Sequence, residues 1–132
     1  MEQVRVNGVI YAISDNIKNA KKGSRWYSIP GDFLQLACMK VNKDRKYLSH
    51  HHLIRPRVHL YTQECLFCCK GKARVKVFDN NKELIKEFVL TPGSFVLLLE
   101  GGHGLEILKN DTILLEFKNG DFCGVQEDKA YI

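Results

Sequence analysis

Residues 50–71, HHHLIRPRVHLYTQECLFCCKG, hold four of the chain's five histidines, one glutamate and a strand-like run that ends at a glycine. In a strand, residues two apart point to the same face, so His50 and His52 offer two imidazoles to one point and His51 faces away. Glu64 stands at the head of the run that follows. The fifth histidine, His103, lies in residues 92–104, PGSFVLLLEGGHG, just past a continuous apolar stretch and a Gly-Gly turn. These two stretches are expected to fold against each other and build one site. Three neutral imidazoles and a carboxylate suit a first-row divalent ion, with zinc, iron, manganese, nickel and cobalt all compatible.

Working outward, the flanking segments all read as short strands. Asn7-Gly8 within QVRVNGVIYAI is a strong hairpin signal. Residues 14–25, SDNIKNAKKGSR, are polar and read as a loop or a single helical turn. Residues 26–29 and 33–41 are two further strand candidates, parted by a turn at Pro30-Gly31-Asp32. In residues 73–78 the valines alternate with Arg74 and Lys76, the period of a strand with one buried face. Asp79-Asn80-Asn81 marks a turn, which makes residues 83–90 a hairpin partner rather than a helix. Residues 95–99 read as a buried strand, and 105–108 and 112–117 as two more. Many short strands with frequent turns and no convincing helix imply an all-β sandwich or barrel.

Length and composition set the bounds. The chain's 132 residues suit one domain with a single core. There is no apolar run of membrane-spanning length and no signal-peptide pattern at the start, so a cytoplasmic protein without a membrane partner is expected. Five cysteines, three of them in one apparent strand, suit reduced thiols rather than a disulfide framework. The net charge of +5 is concentrated in the middle third of the chain, from Lys40 to Lys76. Such a surface attracts anions. A nucleic-acid partner is disfavoured, because no binding motif accompanies the charge and no aromatics alternate with it. A small phosphorylated or otherwise anionic molecule remains as the partner class.

The order of these features resembles the cupin superfamily. Its first motif has two histidines one residue apart, then a glutamate and, six residues beyond, a glycine; here these are His50, His52, Glu64 and Gly71. Its second motif has a Pro-Gly turn ahead of a third histidine; here these are Pro92, Gly93 and His103. Eleven residues separate His52 from Glu64, where three or four are usual, and Ser94 replaces the customary aspartate. His59, four residues ahead of Glu64, is therefore an alternative ligand, with Arg57 in its partner's place. The ending Glu116-x-Lys118-x-Gly120, then Phe122 and Asp128-Lys129, is similar to the close of small cupins of the WbuC type, with Asp121 where a proline is usual.

This resemblance implies a single cupin-type β-barrel, or jelly roll, over residues 1–132. Residues 1–46 supply N-terminal strands and a basic loop, and 47–129 carry the motifs. It implies a divalent metal held by His50, His52, Glu64 and His103, and a homodimer. The expected function is that of a metal-dependent enzyme on a small anionic or carbohydrate substrate, a nucleotide sugar for instance, through isomerisation or epimerisation. An O2-dependent oxidation is the alternative reaction, and a non-catalytic binding or scaffolding cupin the alternative class. Glu64 and Tyr61 are the candidate acid–base groups, and Arg55, Arg57 and His59 the candidate substrate contacts. Cys65, Cys68 and Cys69 read as packing, Glu106 as a surface strand position, and Trp26 and Tyr27 as core or interface aromatics.

Overall fold

The computed structural model describes residues 1–43, 45–54, 56, 58–120 and 130–132. Ten strands account for its regular structure: β1 (Glu2–Val6), β2 (Val9–Asn16), β3 (Gly23–Trp26), β4 (Ala37–Lys40), β5 (Glu64–Lys70), β6 (Ala73–Phe78), β7 (Leu84–Leu90), β8 (Ser94–Leu98), β9 (Gly102–Ile107) and β10 (Ile113–Lys118). A single 3-10 turn, Ile17–Asn19, follows β2. All pairings are antiparallel. The large sheet has the order β1-β2-β8-β5-β10, a second has β7-β6-β9, and β3-β4 form a separate ribbon. Among the described residues none of these sheets closes into a barrel.

The large sheet is the middle of three layers, which follows from its sequence. In β5, Leu66 and Cys68 face a core shared with Val75, Val77, Phe88 and Leu90 of the second sheet. Cys65 and Phe67 face the opposite way, onto a second core with Ile13, Phe95, Leu97 and Tyr27. Leu34, Leu36 and Cys38, in and before β4, pack against that second core. A strand covered on both faces needs no polar alternation, so β8 is buried along its whole length. β6 borders only one core, so its alternating valines are buried while Arg74 and Lys76 turn outward.

The turns follow local chemistry. Asn7 and Gly8 both take positive φ, 50° and 84°, as a two-residue hairpin between twisted strands requires. At the β6–β7 turn, the Asp79 carboxylate accepts the backbone N–H groups of Asn81 and Glu83.

Several boundaries differ from the sequence reading. β2 runs on to Asn16, because Ser14 and Asn16 pair with Val96 and Ser94 of β8. The strand expected over 26–29 lies earlier, at Gly23–Trp26 in the expected loop, and that expected over 33–41 shrinks to Ala37–Lys40, its four-residue partner in the ribbon. Tyr27 is buried, but its neighbour Trp26 is exposed rather than a core aromatic. Tyr27 packs edge-on against Phe95 and donates its phenol to Asp15. Burial opposes the charge on Asp15, but bonds from the Asn19 amide, the Asn16 backbone, the terminal ammonium and the phenol outweigh it and hold the carboxyl at about 2. Burial and the same carboxylate push the Tyr27 phenol up to about 12. Among the described residues no helix is long and apolar enough to cross a membrane.

Candidate functional site

Glu64 opens β5 and His103 is the second residue of β9, so the two come from different sheets. Glu64 pairs across the ladder with Leu98 of β8, and His103 pairs with Val77 of β6. Leu98 and Val77 both belong to the core between these sheets. Directly opposite residues of an antiparallel pair share a face, so Glu64 and His103 both turn toward the end of that core. The Glu64 Oε2 and His103 Nε2 atoms are 3.0 Å apart. The carboxylate is only 7% exposed, whereas about a third of the imidazole is open to solvent. Glu64 is thus the inner member of the pair and His103 the member at the mouth.

Local sequence explains how the pair is held. Gly101 turns the chain from β8 into β9 with φ 71°. A Cβ there would strike the Phe78 carbonyl and the Tyr11 ring, so the chain can approach that closely only at a glycine. Lys118 of β10 stands directly across from Glu64 on the other side of β5. A buried carboxylate is costly without a partner, and the His103 imidazole supplies one.

Gln63, which the sequence reading passed over, fixes the chain at the start of β5. It is 2% exposed. Its amide nitrogen donates to the Leu99 carbonyl at 3.2 Å, and its amide oxygen accepts from the Leu34 N–H at 2.8 Å. Its own backbone N–H donates to the Asn119 side chain at 2.6 Å. One residue thereby ties together the ends of β8 and β10 and the loop before β4. Its only trace in the sequence was a polar residue abutting an apolar run.

The other predicted ligands lie elsewhere. The described residues between β4 and β5 form no strand, so His50 and His52 are not held by the strand geometry that the sequence suggested. Their rings still meet, edge to face with centroids 5.3 Å apart, and His50 Nδ1 lies 2.8 Å from the Leu48 carbonyl. Both are exposed. Among the described residues, no group of three or more His, Cys, Asp or Glu side chains is placed to hold a metal ion. The structure brings together Glu64 with His103, and His50 with His52, as two separate pairs.

His59 and Tyr61 meet on a third residue. Phe33 lies edge-on to the His59 ring at 5.6 Å and tilted against Tyr61 at 4.8 Å. Tyr61 lines a cleft of about 310 Å³ together with Arg5, Asp32, Gln63, Leu99 and Glu100. Burial, then the Glu100 and Asp32 carboxylates, raise the Tyr61 phenol above its ordinary range. At neutral pH it is therefore a proton donor and not a phenolate. Arg55 and Arg57, the predicted anion clamp, and Asp121, Phe122 and Asp128-Lys129 of the tail lie outside the described residues.

The remaining candidates are structural. Cys65 and Cys68 face different cores, as strand alternation demands. Burial pushes the Cys65 thiol up to about 11 and raises Cys68 as well, which keeps both protonated and unreactive. Cys69 is exposed. Glu106 forms a surface ion pair with Arg74 at 2.8 Å. Ser94, at the position of the customary aspartate, is buried beside Thr91 and Asn16 and holds the turn before β8.

Comparison with known proteins returned no match: no family model, no curated protein and no solved structure is similar to this chain.

Proposed function

We propose that this chain is a cupin-type domain whose functional centre is the Glu64–His103 pair. The observation that carries this reading is the 3.0 Å approach of a buried carboxylate and a solvent-facing imidazole from two different sheets. Two further features support it. Gly71 and Gly93, the glycines of the two motifs, both occupy turns with positive φ, 87° and 83°. The run between Gly93 and Gly101 is the central strand of the large sheet.

One carboxylate and one imidazole fit part of the donor set of a divalent transition metal. In this reading His50 and His52 complete the set, with His59 as the alternative, once the segment between β4 and β5 packs over the mouth of the core. The metal would polarise a carbonyl or hydroxyl oxygen of the substrate. The substrate is a small carbohydrate or anionic molecule, and the reaction a sugar isomerisation or epimerisation. The aromatic set of His59, Phe33 and Tyr61 supports this choice, because it offers ring faces and a protonated phenol beside a cleft. The proposed assembly is a homodimer.

Direct contact between Glu64 and His103 also favours a second reading, in which the two form a metal-independent acid–base dyad. There the carboxylate orients the imidazole, and His103 moves a proton on the substrate. Metal analysis of protein purified without a histidine tag separates the two. Stoichiometric metal that is lost in both Glu64→Gln and His103→Asn supports the metal site. Metal-free wild type that converts a member of a nucleotide-sugar panel, and loses that turnover in His103→Asn, supports the dyad. Absence of both metal and turnover, or metal and turnover that survive in both variants, overturns the proposal.

A further inference from the structure

A second cleft lies on the β3–β4 ribbon, on the far side of the large sheet from the core that Glu64 and His103 face. Its volume is about 420 Å³, and Lys22, Ser24, Lys40, Asn42, Arg45 and Tyr47 line it. Among the described residues none of the lining is acidic. The floor is made by the ladder itself. Gly23 pairs with Lys40 across the ribbon, takes φ 108° and would find nothing within 4 Å of an added Cβ. That φ favours a glycine, and the open space beside it leaves the backbone uncovered at the lining.

The cations around this floor are arranged by local contacts. The Lys40 ammonium donates to the Ala20 carbonyl at 3.1 Å, which holds the side chain along the cleft. The Arg45 backbone N–H closes a turn on the Asn42 carbonyl, and the Arg45 guanidinium lies over the Tyr47 ring at 5.1 Å. Three cations on other strands are paired with carboxylates: Arg74 meets Glu87 and Glu106, Lys76 meets Glu87, and Lys86 meets Glu2. Among the described residues no carboxylate forms an ion pair with Lys22, Lys40 or Arg45.

We infer that this cleft is a binding site for a compact, multiply charged anion of the pyrophosphate class. Three cations on one open floor, with hydroxyl and amide donors from Ser24 and Asn42, match closely spaced phosphoryl oxygens. The guanidinium supplies a planar fork and the lysines supply point charges. A concave site of this volume with a single aromatic suits a small molecule. It lacks the succession of stacking rings on which single-stranded nucleic acid is held.

The site is tested by calorimetric titration of the full chain with inorganic pyrophosphate, at low salt and at physiological salt. Lys40→Gln/Arg45→Gln is compared with Lys72→Gln/Lys109→Gln, which removes the same charge from a remote surface. Binding of pyrophosphate that weakens about tenfold or more in the cleft variant, and less than twofold in the remote one, supports the site. Circular dichroism of each variant confirms that the fold is retained; should the cleft variant unfold, Asn42→Asp carries the same comparison. No pyrophosphate binding, or equal weakening in both variants, overturns it. So does tighter binding of a single-stranded oligonucleotide than of pyrophosphate, lost in the cleft variant, which would make the cleft a nucleic-acid surface.

Discussion

The two regions that carry the histidines differ in how they are held. His103 and Glu64 sit on paired strands, β9 and β5, and the ladder partner of each, Val77 and Leu98, is buried in the core between two sheets. His50 and His52 sit in a segment with no strand pairing among its described residues, where Leu48, Leu53, Ile54, Val58 and Leu60 are all exposed. The same residue type is thus a rigid element in one place and a locally supported one in the other. The contrast teaches that strand pairing, not the density of imidazoles, determines where geometry is set.

Substitutions can break this contrast, and the core gives the largest effect. Leu97 is fully buried at the centre of the large sheet, so Leu97→Ala should destabilise by about 4 kcal/mol in chemical denaturation. A loss well under 1 kcal/mol would mean that the second core is not packed as described.

The next effect falls on Gln63. Gln63→Ala removes both side-chain bonds and leaves the buried Leu99 carbonyl and the Leu34 N–H without these partners. The expected cost is roughly 3 kcal/mol. Where a nucleotide-sugar turnover is found, it should fall as well, because the residue positions the start of β5.

Asp15 gives a pH-dependent test. Its carboxyl is held at about 2, below the ordinary 3.8. The unfolded chain therefore binds the proton more readily, and the stabilisation is complete above the ordinary value and lost as pH falls through the folded one. Its size is about 2 kcal/mol. Thermal unfolding followed from neutral pH down to pH 2 should show this decline in wild type and a flatter profile in Asp15→Asn. Parallel profiles would remove Asp15 from the account.

Leu53→Ala, in the unpaired segment, should change stability by less than about 0.5 kcal/mol. A loss comparable to that at Leu97 would show that the segment is packed in solution, by a second copy of the chain or by closure over the core.

The legible part of the sequence was the part with a period. The β6 valines, the continuous run of β8, the Asn7-Gly8 turn and the hairpin of β6 with β7 all followed from local pattern. So did the division of Cys65 and Cys68 between two cores. The edges of β2, β3 and β4 did not, because β2 is extended by partners on β8 far along the chain. Trp26 and Tyr27 are adjacent aromatics, yet only tertiary partners, the Phe95 ring and the Asp15 carboxylate, distinguish the buried one. For the candidate site, Glu64 at the head of a strand and His103 just past a glycine turn were readable, and the structure has them there. Gln63 was invisible because its three partners come from three distant segments. The HxH spacing described a face that exists only in a strand, and the described segment around it forms none.

The most direct test of the central claim is the metal content of the untagged chain, measured by elemental analysis for wild type, Glu64→Gln, His103→Asn and His51→Ala. The account predicts about one divalent transition-metal ion per chain in wild type and His51→Ala, with loss in both of the other variants. Metal retained at the wild-type level in both Glu64→Gln and His103→Asn would contradict it.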